Sequence, residues 1–178
     1  MTNSSPTVVL VALKFAPEAQ RDALRNGIAR LELALGQEVF VGNPLQMTQV
    51  ALDDPARHPF AVVSTGMDVR VIGMGILHVG AATDAGWPDA QGAVLLRGFL
   101  VDHRQQGQGY GSAATMAAVE LARELTSALQ LPAKGVVLGV SVDNRVAHDA
   151  YLRAGFAVKG RFLGGRSGPQ HIMYSPFS

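Results

Sequence analysis

"VDHRQQGQGYGSAA", residues Val101–Ala114, places glycines at 107, 109 and 111, between an apolar β-branched run and an alanine-rich stretch of helical character. A helix begins with several backbone N–H groups that lack intrahelical acceptors, and its aligned dipoles put partial positive charge there. Glycines just before that point remove side chains and let a phosphate approach the N–H groups. They serve an ordinary strand-to-helix turn equally well, so the rest of the chain must decide. A P-loop would need a lysine after the last glycine, and Gly111 is followed by Ser112 and Ala113. A dinucleotide fingerprint needs G-x-G-x-x-G with an acidic residue about 20 positions on. Here the glycines alternate, and Asp143 ends the next strand more than 30 residues after Gly109.

Upstream, "TVVLVAL" (Thr7–Leu13) reads as a strand. "PEAQRDALRNGIARLELAL" then spaces Ala23, Leu24, Ile28, Leu31 and Leu35 as one helical face, with Gly36 as a stop signal. A short helix over Leu45–Leu52 is expected next. Three strands follow at Phe60–Ser64, Val69–Val79 and Ala93–Asp102, patterned as an antiparallel meander. Downstream of the glycines, a helix from Gly109 to Gln130 offers Met116, Val119, Leu121, Ala122, Leu125 and Leu129 as its buried face. "GVVLGVSV" is a buried strand, "NRVAHDAYLRAG" a short helix closed by Gly155, and "FAVKGRF" and "HIMYSPF" a closing strand pair. The predicted class is α+β with a mixed sheet.

A chain of 178 residues with 48% hydrophobic and 16% charged residues fits one domain over residues 1–178 with a sizeable core; residues 1–6 read as a flexible polar lead. Fifteen basic against 14 acidic residues leave a net charge of +1 and no basic face for nucleic acid. The absence of cysteine excludes disulfides, thiolate metal sites and a cysteine nucleophile. The five histidines never fall in an H-x-x-x-H pattern, so no metal is expected. "TVVLVAL" is too short to cross a bilayer and has no basic segment before it, so a cytoplasmic location without membrane contact is expected.

The glycine segment resembles the pyrophosphate-binding loop of the GCN5-related N-acetyltransferases (GNAT family), with the signature Gln/Arg-x-x-Gly-x-Gly/Ala. Arg104/Gly107/Gly109 and Gln106/Gly109/Gly111 both match, and the second sets the helix directly after the loop. "VSVDNRVAHDAYLRAGF" independently resembles the family's later segment through Asn144, Ala147, Tyr151, Gly155 and Phe156. The element order agrees from Thr7 to Phe177. The implied fold is a mixed, mostly antiparallel sheet of about seven strands flanked by helices, with one splayed strand pair that wedges acetyl-CoA.

The resemblance implies roles for particular residues. The backbone of Phe99, Leu100 and Val101 on the splayed strand would meet the pantetheine arm and the thioester oxygen. Gln106 and Gly107, with the N–H groups of Gln108, Gly109, Tyr110, Gly111 and Ser112, would cradle the pyrophosphate. Tyr151 would donate a proton or hydrogen bond to the leaving sulfur, because a phenol with a pKa of about 10 stays protonated at neutral pH. Asn144 either contacts the cofactor arm or caps its helix. Arg153 is carried as an outer-phosphate contact ahead of Arg104 and Arg145. Glu38, Asp53, Asp54, Asp102 and His103 are candidates for the base, and no pattern selects among them.

The expected activity is acetyl transfer from acetyl-CoA to a primary amine of a small molecule. "GQEVFVGNPLQMTQVAL" with "PFAVVS" loosely resembles the polyamine (spermidine/spermine) N-acetyltransferase branch, whereas Arg166 suits an anionic acceptor better. Acetylation of a protein N-terminus or lysine, and a non-catalytic acyl-CoA sensor, are the alternatives. Many relatives form homodimers.

Overall fold

The structure, a computed structural model, describes residues 6–37, 41–165 and 168–178. Seven strands form one sheet: β1 (Val8–Ala12), β2 (Arg57–Ser64), β3 (Val71–His78), β4 (Val94–Val101), β5 (Gly135–Ser141), β6 (Ala157–Phe162) and β7 (Gln170–Pro176). Their spatial order is β1-β2-β3-β4-β5-β7-β6. All neighbours run antiparallel except β4 and β5, which are parallel. This is the α+β, mostly antiparallel arrangement expected from the sequence.

Alternation along the strands sorts side chains onto two faces. Phe60, Val62, Ile72, Leu77, Val94 and Leu96 pack under α3 (Tyr110–Ala128) and α4 (Arg145–Arg153). Ala61, Met74, Ile76 and Leu100 pack under α1 (Glu18–Ala29) and α2 (Pro44–Asp53). A third cluster was not foreseen. The 3₁₀ turn Ala82–Ala85 in the long β3–β4 loop lays Ala82 and Ala85 on Leu95, Val137 and Ile172, and Trp87 stacks on Tyr174 at 4.4 Å.

Two helix readings are corrected. α1 stops at Ala29, not near Gly36, and Leu35 is fully exposed. The chain after α1 is captured by a distant loop: the carbonyl of Glu32 accepts from His103 N at 2.9 Å, and Glu32 N donates to the Asp102 carboxylate at 3.1 Å. The buried stripe of α3 is Ala114, Ala118, Ala122 and Leu125, while Met116 and Leu129 face solvent. Small side chains let α3 lie close to the sheet, so the larger apolar residues are left outside.

Close packing also explains Gly75. A Cβ there would collide with the Cζ tip of the Phe60 ring, and Phe60 is fully buried. Gly75→Ala is expected to destabilise the fold by about 1–3 kcal/mol through overpacking, read as a lowered midpoint in urea. An unchanged midpoint would show that Phe60 has room to move.

Candidate active site

β4 and β5 are hydrogen-bonded neighbours over only two rungs, Val94↔Val136 and Leu95↔Val137. Beyond Leu95, β4 remains paired with β3 up to Val101, and β5 remains paired with β7 up to Ser141. The two parallel strands therefore part, and their facing edges present unpaired backbone groups to the gap. A bulge shapes β4 at this point. Gly98 and Phe99 together oppose Gly75, and Gly98 has φ +58, in the left-handed region that favours glycine. The wedge expected around Phe99, Leu100 and Val101 is present in the backbone. Their side chains pack inward, Leu100 and Val101 buried and Phe99 against the core of the α3–α4 face.

The glycine loop ends at the N-terminus of α3. Gly109 is the N-cap at φ +86, Gly107 has φ +80, and no side chain caps the helix. No acidic residue occupies the first turn. Among the described residues, the first helix-type bond is Ala113 N to Gly109 O at 3.1 Å, and the N–H groups of Gly107 through Ser112 have no intramolecular acceptor. Six bare donors at a positive helix end suit a pyrophosphate. Gln106 turns back from this cradle, donating from Nε2 to Val101 O at 3.1 Å. It thereby ties the loop to the end of the splayed strand. The side chain of Tyr110 packs against the core.

α4 closes the site on the same face. Ser112 Oγ donates to Ala150 O at 3.3 Å, which docks the start of α3 on α4. Tyr151, the next residue, is buried with its ring centroid 6.3 Å from Phe99 and 6.0 Å from Phe156. Its hydroxyl has no hydrogen-bond partner among the described residues and is not among the sealed polar atoms. Burial pushes its pKa well above the usual phenol value, so the group remains protonated. Asn144 caps α4, accepting from Ala147 N at 3.3 Å. Arg153 lies one turn beyond Ala150 at the end of α4 and is exposed.

Residues 24–156 match the sequence profile of the Acetyltransferase (GNAT) family. The chain belongs to the GNAT acetyltransferase family. It is accordingly an acetyltransferase with acetyl-CoA as co-substrate. No curated protein matches the chain in sequence. Among solved structures, an aminoglycoside acetyltransferase in complex with coenzyme A superposes with a TM-score of 0.67 at 20% identity, over 96% of this chain and 95% of that one. A spermidine N-acetyltransferase from Vibrio cholerae, in complex with CoA and spermine, gives 0.60 at 17% identity over 95% of both chains. These likenesses concern the fold.

Within this GNAT frame, two of the carboxylates considered as bases, Asp102 and Asp54, are committed elsewhere. Asp102 is a bracket: it accepts from Arg104 N and Nε at 2.9 Å, from Arg104 Nη2 at 2.7 Å and from Glu32 N at 3.1 Å. The Arg104 guanidinium, followed by these N–H donors, holds its pKa down at about 2. The same contacts occupy Arg104, which also faces Glu32 at 3.5 Å and is not free for phosphate. Asp54 accepts from Ala56 N at 2.9 Å and pairs with Arg57 at 3.2 Å. His103 is spent on Glu32, Nε2 to Oε2 at 3.2 Å. Asp53 borders a groove of about 560 Å³ on the outside of α1 and α2, with Glu18 and Asp22 as well as Lys14, Arg21 and Arg25. Arg145 stands at the far end of α4, against His148, Arg161 and His171. Glu38 and Arg166 lie outside the described residues.

Because Asp102 is buried and saturated with donors, Asp102→Asn is expected to cost about 1–3 kcal/mol, the penalty of mismatched buried hydrogen bonds. A carboxylate with a depressed pKa contributes its stability above the ordinary carboxylate range near 4, and that contribution is lost as pH falls through about 2. The difference between wild type and Asp102→Asn in urea denaturation should therefore be full at pH 7 and shrink below about pH 4. A difference that stays constant down to pH 2 would contradict the bracket.

Proposed function

We propose that the chain acetylates a primary amine of a small molecule by direct attack of the amine on the acetyl-CoA thioester. The observation that carries this reading is the parting of β4 from β5 directly beside the free hydroxyl of Tyr151. The bare N–H groups of Gly107–Ser112 would hold the pyrophosphate, with Arg153 near its outer side. The unpaired edge of β4 from Leu96 to Val101 would align the pantetheine arm and offer donors to the carbonyl oxygen, whose negative charge grows during attack.

In the transfer step the amine nitrogen bonds the acyl carbon, the C–S bond breaks, and the sulfur leaves as a thiolate facing Tyr151. The phenol donates a hydrogen bond or its proton to that sulfur, the proton lost by the nitrogen passes to solvent, and a phenol that has given up its proton regains one from solvent. Burial keeps Tyr151 in its protonated form, so it serves as donor and never as base at neutral pH. An alkyl ammonium with a pKa near 10 must first lose a proton, at a cost of about 4 kcal/mol at pH 7. The rate is therefore expected to climb with pH until the acceptor is neutral, with no falling limb from Tyr151 below about pH 10.

A polyamine acceptor would ask for gathered carboxylates. Asp54 is paired with Arg57, and in the groove beside α1 and α2 the carboxylates of Glu18, Asp22 and Asp53 are matched by Lys14, Arg21 and Arg25, so the described residues there offer no net negative charge to a polycation.

The test is free-thiol release from acetyl-CoA across spermidine, spermine, a diamine, an aminoglycoside and amino acids. Amine-dependent release supports transfer. Tight acetyl-CoA binding without release for any amine would mark an acyl-CoA sensor, and no binding would overturn the reading.

A further inference from the structure

The glycine loop and Tyr151 occupy the α3–α4 face of the wedge, so the acceptor has to approach the carbonyl from the opposite face. Resting on the transferase reading above, we propose that this opposite face carries an anion receptor built on Arg97, and that the acceptor is an amine with a carboxylate a few bonds from its nitrogen, as in an amino acid.

Arg97 precedes the Gly98 bulge on β4. Its neighbour Leu96 packs into the α3–α4 core, so Arg97 projects the other way. There its Nη1 lies 3.2 Å from Asp84 Oδ2 and 3.2 Å from His78 Nδ1. These contacts anchor one corner of the guanidinium. Among the described residues, Nε and Nη2 have no partner, and the side chain is 38% exposed. A guanidinium edge with two free donors matches a carboxylate in bidentate geometry.

The far lip of the gap adds a second polar group. Arg97 and Gly139 each lie two residues past the last rung, Leu95↔Val137, and so share a face. Gly139 has no side chain, and the carboxamide of Gln170 lies directly over it; a Cβ at Gly139 would collide with Gln170 Oε1. That carboxamide has no hydrogen-bond partner among the described residues. Asp84 uses Oδ2 on Arg97, leaving Oδ1 for the acceptor's ammonium. His78 adds no negative charge, because burial and then Arg57 and Arg97 lower its pKa and keep it neutral. A guanidinium, one carboxylate and a neutral carboxamide suit a zwitterion and offer no net negative charge to a polycation.

The experiment compares matched acceptors: an α-amino acid, its carboxamide, the corresponding decarboxylated amine, a β- and a γ-amino acid, and spermidine. Steady-state thiol release would be measured for wild type, Arg97→Gln and Arg97→Lys. Wild type should favour the carboxylate-bearing acceptor over its carboxamide by at least about tenfold in kcat/KM, the scale of a hydrogen-bonded charge. Arg97→Gln should erase that preference by raising the acceptor KM while the acetyl-CoA KM stays fixed, and Arg97→Lys should restore part of it. The proposal is overturned if carboxylate-free amines are turned over as well as the amino acids, or if the preference survives in Arg97→Gln. Thiol release with carboxylate-free amines alone would sink this proposal and keep the transferase, whereas no release with any amine would sink both.

Discussion

Tyr151→Phe is expected to lower kcat for amine acetylation by about 10²-fold, the usual contribution of a positioned acid, with acetyl-CoA affinity unchanged. The substitution is clean because the ring carries the packing and the hydroxyl carries none of it. Phe keeps the contacts with Phe99 and Phe156, and the hydroxyl it removes bonds nothing among the described residues. Thermal stability should therefore be preserved. The pH–rate profile should keep its shape and drop in height, since its rise belongs to the acceptor ammonium and not to Tyr151. Retention of full activity in Tyr151→Phe would mean that the leaving sulfur does not sit beside α4. A loss of activity accompanied by a lower melting temperature would instead assign Tyr151 to packing.

Gly111→Asp should move stability and binding in opposite directions. Gly111 is the second residue of α3 and is not among the glycines with positive φ. A Cβ there meets only Ala150 Cβ, at 3.9 Å, so a side chain fits. A carboxylate in the first turn interacts favourably with the helix dipole, by about 0.3–1 kcal/mol, and the melting temperature should hold or rise. The same carboxylate would stand beside the pyrophosphate. Like charges a few Å apart in partly solvated surroundings cost several kcal/mol, so acetyl-CoA affinity should fall by about 10²-fold or more. Isothermal titration beside thermal denaturation separates the two effects. Gly109→Ala makes the contrast, because at φ +86 it forces an L side chain into the left-handed region and should cost stability by about 1–2 kcal/mol. An aspartate at 111 that leaves affinity intact would remove the pyrophosphate from the α3 N-terminus.

The parts of the site that sequence made legible are local. The alternating glycines, the alanine-rich helix after them and the Asn144-to-Phe156 segment each lie within one short stretch, and the structure sets them at the same wedge. What escaped depends on partners far away in the chain. The end of α1 is decided by Asp102, which binds the backbone of Glu32 across the fold. The buried stripe of α3 is legible only in part: Ala122 and Leu125 are buried as expected, but apolar size suggests Met116 and Leu129 where close approach to the sheet selects Ala114 and Ala118. The bulge at Gly98 arises from register with β3, although a glycine inside a strand run is a usable signal for it. Asp84, His78 and Arg97 come from a loop and two strands, and no spacing rule joins them.

The most direct test of the account is a titration of isotope-labelled protein with CoA, followed by backbone amide NMR. The account predicts that the largest shifts fall on Gly107 through Ser112 and on Leu96 through Val101, with smaller ones on α4 near Tyr151. Glycine amides at 107, 109 and 111 should move first, as their N–H groups exchange water for phosphate. Shifts confined to the outer groove of α1 and α2, or to the edge strands β1 and β6, would contradict the placement of acetyl-CoA in the β4–β5 wedge.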